Sequence, residues 1–178
     1  MVRLLSAVPV GIMVLLGWAT LSSETSSLDS CAARVPNPEL LWAWHTFAKA
    51  VQSNDHSALR RLSAGCIYCA DCTADTTDPY SYIPAEAFWR KEARLIFTVQ
   101  TKARLLDLGK VRFGNNDHNK HLFTTPCLMS PAQAAVAHIE EVLVLDMDPS
   151  PSSEGMQKSF NFVETAQGYK FCGYYTIP

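Results

Sequence analysis

The hydrophobic period of this chain changes once, and that change limits what it can fold into. In "NPELLWAWHTFAKAVQSND" the apolar residues Leu40, Leu41, Trp44, Phe47, Ala48 and Val51 recur at helical spacing. Asn37 stands at the N-cap and Pro38 at the first helical position. Asp55 caps a shorter helix, "HSALRRLS", ending at Gly65. A third helix starts near Pro84, with Ala85, Phe88, Trp89, Ala93 and Ile96 on one stripe. The pattern then alternates. "TKARLLDLGKVRF" reads as one or two strands and "NNDHNK" as a turn. "AAVAHIEEVLVLDM" reads as a long strand with Ile139, Leu143, Leu145 and Met147 facing one way. His138, Glu140, Val142, Val144 and Asp146 face the other. "KSFNFVETAQGYKFCGYYTIP" is a hairpin turning at "AQG"; Phe160 and Phe162 share a face, as do Phe171, Tyr175 and Ile177. Helices first and antiparallel strands later predict an α+β domain with its helices on one sheet face.

The N-terminus reads differently. Arg3 is the only charge before Glu24, and "LLSAVPVGIMVLLGWATL" is apolar with small residues at Gly17 and Ala19. That is the pattern of a secretory signal, cleaved after Ala19 or near Ser23. An uncleaved membrane anchor is the alternative. A lipid anchor at Cys31 fits poorly, because "SSETSS" separates it from the apolar run. The expected organisation is a signal peptide over 1–23, a flexible Ser/Thr-rich leader over 24–36 and a single domain over 37–178. The expected location is periplasmic or extracellular, with no membrane association after cleavage. A formal net charge of −2 with no basic run excludes nucleic acid as an expected partner.

Export decides how the cysteines are read. Cys31, Cys66, Cys69, Cys72, Cys127 and Cys172 form an even set, and in an oxidising compartment such a set implies disulfides. "GCIYCADC" invites three other readings. As an iron–sulfur run it lacks a fourth ligand, since Thr76 stands where cysteine is needed. A zinc site would need Cys127, His118 or His121 to return to the cluster, and the oxidising compartment competes for the thiolates. A thioredoxin-like centre wants C-x-x-C opening a helix, whereas this one follows a helix into a loop. Disulfides are therefore expected, with no metal and no cofactor. At least one cysteine of the cluster should bond outside it, with Cys127 the first choice, closing a loop of about 55 residues.

The helix–strand order resembles the cystatin-like, nuclear-transport-factor-like superfamily, which includes ketosteroid isomerase. The terminal "KSFNFVETAQGYKFCGYYTIP" is similar to the last hairpin of small exported bacterial members. "FAKAVQSNDHSALRRLSAGCIYC" fits the helix pair that opens such domains. The resemblance covers roughly residues 38–178 and implies N-terminal helices on a curved antiparallel sheet forming a cone-shaped pocket. It implies no activity, because that scaffold carries isomerases, dehydratases, binders and structural modules. No catalytic motif of the family maps onto this chain.

Trp44, Phe88, Trp89, Phe171 and Tyr175 are the candidate pocket lining, although aromatics at such spacings are more often simply core. His138 and Asp146 share a strand face and suggest acid–base chemistry, but eight strand positions span about 26 Å, too far for a dyad. No nucleophile elbow and no glycine-rich phosphate loop is present. The expected function is a non-catalytic exported module binding a small apolar ligand or a protein partner, through its cone or its outer sheet face. An isomerase- or dehydratase-like enzyme is the alternative, and a homodimer through the sheet the third option.

Overall fold

The computed structural model describes residues 36–72, 82–123, 129–148, 150 and 155–178. The signal segment, residues 24–35 of the leader, Cys31 and Cys127 lie outside these. Helix α1 (Pro38–Ser53) begins as its sequence requires: Asn37 Oδ1 accepts the Glu39 N–H, and Pro38 fills a position with no N–H to lose. It stops at Asn54, which takes the left-handed conformation at φ +54°. Helix α2 (His56–Arg61) is capped by Asp55 and ends earlier than expected, because strand β1 (Ser63–Cys69) starts almost at once.

The cysteine cluster therefore lies in and just after a strand rather than in a loop. Strand β2 (Tyr82–Pro84) leads into a continuous helical stretch: α3 (Ala85–Ala87), a π-helical turn (Phe88–Glu92) and α4 (Ala93–Ile96). Two segments depart from expectation. "TKAR" belongs to helix α5 (Val99–Arg104), since the Thr98 hydroxyl caps the Thr101 N–H and Gln, Lys, Ala and Arg are good helix formers. Likewise helix α6 (Pro131–Val136) precedes strand β4 (Ile139–Met147), fixed by a Ser130–Gln133 capping box. Strand β3 (Val111–Asn115) and a 3₁₀ turn (Asp117–Leu122) come between α5 and α6.

Strands β5 (Met156–Thr165) and β6 (Gly168–Ile177) complete a six-stranded sheet of order β2-β1-β6-β5-β4-β3. Its pairs are antiparallel except β1 with β6, so the sheet is mixed where an antiparallel one was expected. Gly168, at φ +89°, makes the β5–β6 turn that "AQG" signals. Helices packed on this sheet make the domain α+β. The core between them is built from Leu40, Phe47, Val51, Val142, Val144, Phe160 and Phe162. A smaller cluster on the opposite sheet face holds Phe123, Ile139, Val163 and Cys172.

Two bulges adjust which residues reach which face. In β6 the register steps from Asn161↔Gly173 to Phe162↔Phe171, leaving Cys172 as the extra residue. That shift reverses the alternation. Phe171 and Tyr174 face the helices, while Tyr175 packs with the outer cluster. The expectation that Phe171 and Tyr175 share a face is thereby corrected. In β4 Asp146 is the extra residue, between Leu145↔Gln157 and Met147↔Met156.

Candidate functional site

Four of the five aromatics singled out as pocket lining meet in the helix–sheet core. Trp44, Phe88 and Phe171 have no exposed surface and Trp89 is 4% exposed. Their rings pack against further aromatics: Phe47 lies 5.0 Å from Phe171 and Trp44 5.7 Å from Phe160. Both indoles are satisfied, Trp44 donating to the Leu105 carbonyl at 3.1 Å and Trp89 to Ser63 Oγ at 2.9 Å. Rings that fill the space between helices and sheet at crystal-like density leave little room inside it.

Concavities lie at the margins of that packing instead. The one that retains an aromatic of the expected set is a cleft of about 360 Å³ among the helices. Its apolar walls are Val51 of α1, Leu59 of α2, Trp89, Ala93 and Phe97, with Trp89 and Phe97 stacked at 5.6 Å. Arg90, Arg94, Lys102, His56 and Asn54 supply the polar side. The π-helical turn carries Trp89 and Arg90, and such turns often mark functional positions. A second cleft of about 510 Å³ runs between Trp42 and Tyr169, bordered by Glu39, Arg61 and Lys170. Trp42 is 69% exposed because it falls off the apolar stripe of α1. That off-stripe tryptophan was a legible signal that stripe reading passes over. A third cleft of about 490 Å³ lies over Ala64, Ala137 and Val163, with His138 and Glu164 at its rim.

His138 and Asp146 do not form a site. The His138 ring stands 3.4 Å from Asp117, whereas Asp146 pairs with Lys158 at 3.0 Å. Asp146 is buried, and Thr101 Oγ1 donates to its Oδ1 at 2.6 Å. Lys158 Nζ also donates to the Ile96 carbonyl and to Thr101 Oγ1. The charges are used up on each other.

Sequence reasoning also missed a hydrogen-bonded ring on the outer sheet face. Asn116 Nδ2 donates to Tyr175 Oη and to Asn161 Oδ1, and Asn161 Nδ2 donates to Ser159 Oγ. Tyr175 Oη and Ser159 Oγ then both donate to Glu141 Oε1, at 2.5 and 2.6 Å. Burial first, and donation to Glu141 second, push the Tyr175 phenol up to about 12. Asn116, Ser159 and Asn161 are fully buried, so the ring satisfies polar groups that would otherwise be costly. None of the three clefts is lined by Glu141, Tyr175, Asp146 or Lys158.

The cysteines are oxidised in part. Cys69 and Cys72 form a disulfide, and Cys66 is disulfide-bonded to a partner outside the described residues. These three therefore offer no thiolates to zinc. Among the described residues no group of three or more His, Cys, Asp and Glu is placed to hold a metal ion. Cys172, a disulfide candidate, is instead a free buried thiol. Its Sγ donates to the Asn161 carbonyl, and burial pushes its pKa up. The β6 bulge turns it into the outer cluster, away from Cys69. No helix of the described residues is long and apolar enough to cross a membrane. No family model matches this chain, and no curated protein or solved structure matches it either.

Proposed function

We propose that this chain is an exported, non-catalytic binding domain on a cystatin-like scaffold, and that it takes a small hydrophobic ligand in the cleft beside Trp89. The observation that carries this reading is the cleft itself: about 360 Å³, with Val51, Leu59, Trp89, Ala93 and Phe97 as its apolar walls. That size and lining suit a small molecule. The filled interior argues against a ligand deep between helices and sheet. The acid–base alternative lacks support because the two carboxylate–hydroxyl systems, at Asp146 and Glu141, are closed on protein partners and line none of the clefts. Disulfide bonds at Cys66, Cys69 and Cys72 agree with an oxidising location.

An uncharged fluorescent probe, 1-naphthol, tests this. It should bind and quench tryptophan emission in the wild type. Ala93→Phe, which fills the cleft, should abolish the effect, while Trp42→Ala should leave binding intact. Binding unaffected by Ala93→Phe, or lost in Trp42→Ala, would move the ligand elsewhere and refute the assignment.

A further inference from the structure

The polar side of the Trp89 cleft is unusual for a chain with more acids than bases. Arg90, Arg94 and Lys102 line it, and no Asp or Glu does. Arg90 and Arg94 are exposed, one helical turn apart, and neither side chain has a hydrogen-bond or ion-pair partner among the described residues. Like charges at that spacing repel along a helix, so the arrangement is a small standing cost to the free protein. Lys102 is tethered, its Nζ donating to Asn54 Oδ1 at 2.6 Å, which holds its charge at the same margin. By contrast Arg60 has Glu86 and Arg104 has Asp148. Arg112 is likewise exposed and unpartnered among the described residues, but Arg90 and Arg94 differ from it in bordering a concavity whose walls include Trp89 and Phe97, 4% and 5% exposed.

We infer that this cleft binds a phosphate monoester of an aromatic molecule, its ring against Trp89 and Phe97 and its phosphate between Arg90 and Arg94. The inference rests on the reading of the Trp89 cleft as the ligand site and adds the ligand's charge. A carboxylate bound by one guanidinium fork offers the second arginine only its remaining lone pairs, and it sets a single negative charge against three cations. A phosphate monoester offers three oxygens and nearly two negative charges, enough for both forks with Lys102 alongside. Apolar walls supply what inorganic phosphate cannot use. Discrimination should therefore need both halves of the ligand.

Isothermal titration of the full chain with 1-naphthyl phosphate, 1-naphthol and inorganic phosphate tests the inference. Naphthyl phosphate should bind about tenfold or more tighter than naphthol at low salt, with the margin shrinking as ionic strength rises. Arg90→Gln/Arg94→Gln, at exposed positions, should erase that margin, so that the variant binds naphthyl phosphate no tighter than it binds naphthol. Equal affinity for phosphate and alcohol would overturn the phosphate assignment while leaving the cleft reading standing. Tight naphthyl phosphate binding that survives the double substitution would also overturn it. Binding by neither aromatic would remove the cleft reading and this inference together. Inorganic phosphate binding as tightly as naphthyl phosphate would refute the aromatic half.

Discussion

Replacing Lys158 by methionine perturbs the one described place where two opposite charges are both nearly dry. Lys158 and Asp146 are each 5% exposed, and the ammonium donates to Asp146 Oδ2, Thr101 Oγ1 and the Ile96 carbonyl at 3.0, 2.7 and 2.8 Å. Methionine keeps the stem's volume but strands the Asp146 carboxylate with Thr101 Oγ1 as its only side-chain donor among the described residues. Removing one partner of such a buried pair costs about 3–5 kcal/mol. For a chain of this size that lowers Tm by roughly 10 °C. Removing both charges in Lys158→Met/Asp146→Asn should recover most of the loss, leaving about 1–2 kcal/mol, because no charge then remains desolvated. Urea unfolding of the wild type, both single variants and the double variant closes the cycle. Hydrogen exchange should localise the effect to α5, which Thr101 and Gln100 tie to Asp146. A Lys158→Met penalty under about 1 kcal/mol, or single penalties that simply add, would refute the argument that desolvation sets the cost.

Gly173→Ala should destabilise by about 1–3 kcal/mol, through overpacking. A Cβ there would meet Phe123 Cε1 at 2.3 Å, so adding Phe123→Leu should give a combined loss smaller than the sum in denaturant melts. Cys69→Ala/Cys72→Ala should cost only about 2 kcal/mol, since that bond closes a loop of sequence separation 3. Cys172 should resist thiol reagents in the native protein and react on unfolding, which a thiol assay with and without denaturant reads directly. Burial pushes the Asp117 carboxyl upward, but donors at the Ile139 N–H, Asn115 and His138 outweigh it and hold its pKa below the ordinary value. Its contribution is thus full above the unfolded pKa of about 4 and lost as pH falls through the lower folded value, so Asp117→Asn should flatten acid unfolding below pH ~4. For Tyr175 the sign reverses. Its folded pKa of about 12 exceeds the unfolded value, so its stabilisation holds below pH ~10 and fades as pH rises toward 12, seen as late phenolate absorbance, shared with Tyr169 and Tyr174, that Tyr175→Phe reduces.

Interactions closed within a few residues were readable from the chain. Asn37, Pro38 and the stripe through Trp44 and Phe47 specify α1, because capping and amphipathic spacing are local. The alternation of Val142 and Val144 against Leu143 and Leu145 specifies β4, and Gly168 the hairpin turn. Features set by pairing between distant segments were not readable. The bulge at Cys172 belongs to the register between β5 and β6, and it sends Tyr175 to Glu141 rather than to the pocket. Asp146 finds Lys158 across strands, and Cys172 has no sulfur partner for the same geometric reason. Arg90 and Arg94 are visible as neighbours on any helix drawn from the sequence. Only the tertiary structure brings Val51 and Leu59 from two other helices to make a cleft beside them, because a concave surface is a property of how elements pack and not of any one of them.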